Sequence, residues 1–143
     1  MSLFDVNVVE IKIYYTFKEK ENYKILIVLK DEKAKELLED ESQKGKIESL
    51  TTKWSIMNWR EQNALVETAY NKTNSLTGER AFDHVLYRDI IVKSCLKEWD
   101  IVVEGKNVPV TANGIDSLPA EIIMEMYYRY EKMIDYSEDE LGK

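Results

Sequence analysis

One cysteine, one histidine, two prolines and five glycines are spread over 143 residues, and each shortage closes off a class of protein. Cys95 has no second cysteine to bond, so no internal disulfide is available and a reducing compartment is the natural expectation. Structural zinc takes four Cys or His ligands at short spacings, and this chain has two such residues in total. Any Ser-His-Asp or Cys-His mechanism would have to use His84. Cys95 lies eleven residues further along the same expected helix, three turns on, where the two side chains do not meet. Neither Gly-x-x-x-x-Gly-Lys nor Gly-x-Gly-x-x-Gly occurs, so the usual phosphate cradles are absent from the sequence. So little proline and glycine disfavours an all-β sandwich, which needs many tight turns. No apolar run approaches the ~18 residues that a membrane span requires. The opening Met1-Ser2-Leu3-Phe4-Asp5 has neither the basic start nor the long apolar stretch of a signal peptide. The expected location is therefore the cytoplasm, with no cofactor, no metal and no catalytic residue assigned.

What is present is charge and apolar surface together. Hydrophobic residues make up 44% and charged ones 33%, a balance that folds rather than stays disordered. The net charge of −7 is uneven, because residues 58–143 carry sixteen acids against ten bases while residues 1–57 are nearly balanced. A nucleic-acid binder needs a basic stripe to displace counterions from phosphates, and none exists here. An anionic membrane is disfavoured on the same ground.

Patterning predicts an α+β fold: an N-terminal antiparallel hairpin, extended to a three-stranded sheet, followed by a helical part of three main helices. Residues 8–17 alternate, with Val9, Ile11, Ile13, Tyr15 and Phe17 on one side. Residues 18–22 read as a charged loop, and residues 23–29 as a second strand with Tyr23, Ile25, Ile27 and Leu29 on one face. Asp31 is placed as the N-cap of a helix through Ala34, Leu37, Leu38 and Glu41. Leu50, Thr52, Trp54 and Ile56 alternate again as a third strand. Asn58 with Glu61 resembles a capping box for a helix from Trp59 to about Asn71, with Leu65, Val66, Ala69 and Tyr70 as its buried stripe. Residues 72–78 read as a loop. A further helix is expected over 79–97, then a short hairpin around Glu104-Gly105-Lys106. Ser117 and Pro119 mark the start of a last amphipathic helix through Ile122, Met126, Tyr130 and Ile134. The acidic run Ser137-Glu138-Asp139-Glu140 reads as a fraying tail. The division is 1–57, β-rich, and 58–143, helical, within one compact domain.

The aromatic and sulfur-bearing residues point to protein contacts, where Tyr, Trp and Met are enriched. Trp54 and Trp59 flank the turn Ser55-Ile56-Met57-Asn58. Most of these side chains, Trp54 included, also suit a core. Met124 and Tyr128 differ: they sit four residues apart, off the main stripe of the last helix. Trp54, Trp59, Met124 and Tyr128 are therefore the candidate protein-interaction residues.

Three stretches, in order, carry a family likeness. Lys53-Trp54-Ser55-Ile56-Met57-Asn58-Trp59-Arg60-Glu61 passes from strand to helix, Phe82-Asp83-His84-Val85-Leu86-Tyr87 is acidic and aromatic, and Ile115-Asp116-Ser117-Leu118-Pro119-Ala120-Glu121-Ile122-Ile123 leads into the final amphipath. This order, over roughly residues 50–135, resembles bacteriophage tail assembly chaperones and related small tail proteins. The resemblance implies a non-enzymatic role, holding a helical tape measure protein while tail subunits polymerise. A baseplate or neck component would better match the N-terminal hairpin. The implied partners are tape measure or tail subunits, with self-association open. The competing reading is a small acidic regulatory or inhibitor protein that docks on a basic partner protein, steered by charge.

Overall fold

The structure is a computed structural model in which residues 7–70, 72–73 and 76–135 are described. It is α+β. Four strands, β1 (Val8–Lys20), β2 (Tyr23–Leu29), β3 (Glu48–Ser55) and β6 (Leu96–Trp99), form an antiparallel sheet in the order β2-β1-β3-β6. Two small hairpins, β4 (Lys72–Thr73) with β5 (Arg80–Ala81) and β7 (Val102–Val103) with β8 (Lys106–Asn107), lie outside it. The helices are α1 (Asp31–Glu39), α2 (Trp59–Ala69), α3 (His84–Cys95), α4 (Ala112–Ser117) and α5 (Ala120–Ile134).

Alternation in β1 sets the sheet's two faces. Val9, Ile11, Ile13 and Tyr15 stand opposite Trp54, Thr52, Leu50 and Glu48 of β3, and this face meets Ile122, Met126 and Tyr130 of α5. The centre is Trp54, fully buried and stacked on Tyr130 at 4.9 Å between ring centroids. Every polar atom on that pair is matched. The Trp54 indole N–H donates to Thr52 Oγ1 (2.7 Å), the Thr52 hydroxyl donates to the Ile11 carbonyl (2.9 Å), and the Tyr130 hydroxyl donates to the Ser55 carbonyl (2.8 Å).

Several expectations are corrected. The charged stretch 18–22 is not a loop: β1 continues to Lys20, and Glu21-Asn22 alone make the turn, with Glu21 at φ 50°. Lys30, not Asp31, occupies the N-cap of α1, and the Asp31 carboxylate instead accepts from Arg129 at 2.9 Å. The helix expected over 79–97 begins at His84 behind the Asp83 cap and ends at Cys95. Leu96 then enters β6 directly, because Leu96-Lys97-Glu98-Trp99 offers apolar ends that fit beside β3. The sheet thus has four strands rather than three, and its last strand comes from beyond residue 57. Ser117 ends α4 and donates to the Asn113 carbonyl; it does not cap α5, whose N-cap is Pro119. Val66 and Tyr70 of the expected α2 stripe are exposed, while Leu65 and Ala69 are buried. The Asn58 cap forms as expected, accepting from the Glu61 N–H at 2.9 Å. The hairpin at Glu104-Gly105 forms too, with both residues at positive φ. The acidic run 137–140 lies outside the described residues.

Beyond Tyr14, paired with Leu29, β1 runs on toward its N-terminus with no β2 beside it. Arg129 of α5 fills that gap, its Nη1 donating to the Lys12 carbonyl at 2.8 Å while Nε binds Glu125. An exposed strand edge is thereby covered where β2 ends.

Candidate protein-binding surface

Sheet and helices do not close completely over the core. At the end of β1 nearest the turn, an open groove of about 230 Å³ lies between a sheet wall of Tyr15, Phe17, Leu26 and Leu50 and a helix wall of Leu118 and Ile122. Its origin is local. β1 and β2 extend past the start of β3 at Glu48, so Phe17 and Leu26 project beyond the span that α5 covers. Pro119 begins α5 beside them, and its fixed φ turns the chain from α4 into α5 with Leu118 directed at the opening. Phe17 remains 49% exposed and packs edge-on against Tyr15 at 5.8 Å. Small-molecule clefts commonly enclose about 300–1,000 Å³ with a few converging polar groups. This groove is smaller and lined by apolar side chains, dimensions that suit one or two inserted side chains of another protein.

The four residues singled out from sequence separate into distinct environments. Trp54 is core and is withdrawn as a surface residue: its ring is enclosed by Tyr130, and its N–H is already bonded. Trp59, the first residue of α2, is 79% exposed. The expected Trp54/Trp59 corner is thus split between interior and surface. Tyr128 is 55% exposed and tilts against Tyr127, and Met124, one turn earlier, is half-buried. Ile123 and Tyr127 pack on the core cluster, while Tyr128 faces outward and Met124 lies between the two sides of the helix. The groove itself went unnoticed in the sequence. Its signal was Phe17, whose strand position continues the inward series of Ile11, Ile13 and Tyr15 past the end of the helix that covers them.

The titratable groups have structural surroundings. Burial, then hydrogen bonding to Cys95, pushes the Tyr130 phenol well above its ordinary value, and burial followed by the Glu131 carboxylate does the same for Tyr127. Burial also raises the Cys95 thiol, which keeps it protonated and a poor nucleophile. His84 is exposed at the opposite end of α3, edge-on to Phe82 at 4.6 Å. One Glu131 carboxylate oxygen is buried without a hydrogen-bond partner. Lys93 bridges Asp89 and Asp116 at 3.2 and 3.0 Å, tying α3 to α4. Among the described residues no group of three or more His, Cys, Asp or Glu side chains is arranged to hold a metal ion, and no helix is long and apolar enough to cross a membrane.

No protein-family model, curated protein or solved structure matches this chain.

Proposed function

We propose that this chain works by binding other proteins, with no chemistry of its own, in the morphogenesis of a phage tail, as an assembly chaperone or a baseplate component. The observation that carries the reading is the apolar groove between Phe17, Leu26 and Leu118. A helical tail protein of the tape measure kind presents apolar side chains at three- and four-residue steps, and such a row docks into a groove of this type. Burying one such side chain contributes about 1.5–3 kcal/mol. A site for one or two therefore holds its client loosely, as a factor that must release it during polymerisation requires.

Substitution of the groove's exposed wall tests the reading. Phe17→Asp places a charge where an apolar side chain should insert, at a residue whose exposure spares the core. In a phage that depends on this gene, the variant is expected to accumulate in the cell, with unchanged circular dichroism, while yielding tailless heads. Tailed particles in wild-type number would overturn the proposal.

A further inference from the structure

We infer that β2 is a self-association edge, joining two copies of this chain into one continuous eight-stranded sheet about a dyad at Leu26. β2 stands at the end of the strand order, and among the described residues only β1 pairs with it. The two-residue turn makes Lys20 and Tyr23 the hydrogen-bonded closing pair of the hairpin. Counting by twos, Tyr23, Ile25, Ile27 and Leu29 bond to β1, which leaves Lys24, Leu26 and Val28 aiming their N–H and C=O groups away from the sheet. The bond from Arg129 to the Lys12 carbonyl fixes the same parity independently. It shows that the even-numbered residues of β1 face the β2 side. The Lys12 carbonyl is covered where β2 has ended; among the described residues no strand pairs with the outer edge of β2.

A second copy fits this edge by its own sequence. An isologous antiparallel pairing sets residue i against residue j and j against i. With Leu26 opposite Leu26, Lys24 meets Val28 twice, and all three outward residues of each copy enter the ladder. Centring on Ile25 drops Val28 from that set of pairs. Centring on Ile27 sets Lys24 against Lys30, and centring on Lys24 sets it against itself, both like-charge pairs that disfavour the register. The Leu26 dyad also sets Ile25 of each copy against Ile27 of the other. These side chains are 37% and 38% exposed on the face away from the groove, apolar residues that a free edge strand would ordinarily replace with charge. On the other face, Leu26 sits beside Phe17, so the dyad aligns the two grooves end to end. The inference stands on the strand edge and does not depend on what the groove binds.

Sedimentation equilibrium of the full chain tests it, with two double variants. The wild type is expected at twice 16.8 kDa. Ile25→Lys with Ile27→Lys sets lysine against lysine across the dyad and is expected to sediment as a monomer. Ile25→Lys with Ile27→Glu sets lysine against glutamate in both halves and is expected to restore the dimer. The rescue is specific to this register, because a dyad at residue 25 or 27 would oppose like charges in that variant. Both variants alter exposed positions on the face opposite the groove, and their circular dichroism should match the wild type. A monomeric wild type, a dimeric Lys/Lys variant, or failure of the Lys/Glu variant to recover dimerisation would each overturn the proposal.

Discussion

At the scale of single residues, buried polar atoms and close contacts decide where the chain tolerates change. Gly114 in α4 is the sharpest case. A Cβ there would lie 3.0 Å from Thr111 Oγ1 and 3.1 Å from the Trp99 ring. Neither neighbour is free to retreat. The Thr111 hydroxyl caps α4 through the Gly114 N–H, and the Trp99 indole donates to the Val108 carbonyl at 2.6 Å. Gly114→Ala gains up to about 1 kcal/mol of helix propensity. Overpacking of a fixed neighbourhood costs about 1–3 kcal/mol. The difference is a net loss of about 1 kcal/mol, within a span of about 0–2 kcal/mol, read as a lower urea midpoint at unchanged m-value. Gly45→Ala, with nothing within 4 Å of its Cβ, serves as the neutral control. An equal midpoint for the two variants would contradict the packing argument. The separation of Cys95 from His84 was legible from the sequence, because eleven residues of one helix hold them three turns apart. Trp54 was ambiguous there. Its burial depends on Tyr130, a residue 76 positions away that local pattern does not pair with it.

At the scale of elements, periodicity was legible and boundaries were not. β1, β3, α2 and α5 were visible because one face of each is the more buried, so a two- or 3.6-residue rhythm survives, and β2 was visible as a short run of apolar, β-branched residues after a charged turn. α3 misled because its apolar residues continue into Leu96, and only the bare edge of β3 converts that continuation from helix to strand. α4 is short and hid behind the stronger signal of Pro119. α5 also carries a pH dependence. Tyr127 and Tyr130 are held above their ordinary value of 10.0, chiefly by burial, so the folded state keeps both protons where the unfolded chain releases them. The stabilisation is complete below about pH 10 and is lost as pH rises beyond it. Tyr87 and Tyr15, also raised by burial, act in the same direction. The buried Cys95 thiol, raised in the same direction, begins the decline near its ordinary value, so the urea midpoint is expected to be level to about pH 8, to fall gently to about pH 10 and to fall more steeply above it, less so in Tyr130→Phe. An unchanged wild-type midpoint up to about pH 11 would contradict it.

At the scale of the whole molecule, two open features share one end of the sheet. The groove exists because β1 and β2 outrun the helix that covers them, and the β2 edge is open among the described residues because the chain leaves β2 through Lys30 into α1 and no described strand returns to its outer side. Neither was legible in the sequence, since both depend on where covering elements stop. The outward position of Tyr128 was legible from its place off the main stripe of α5, whereas Met124, expected beside it, is half-buried.

The central claim is that this groove receives a tail protein, and a photo-crosslinking phenylalanine analogue placed at position 17 tests it most directly during phage growth. The expected result is a light-dependent adduct with the tape measure protein or another tail subunit, absent when the same analogue replaces the distant, exposed Val85. Adducts with no tail protein from position 17, or equal yields from both positions, would contradict it.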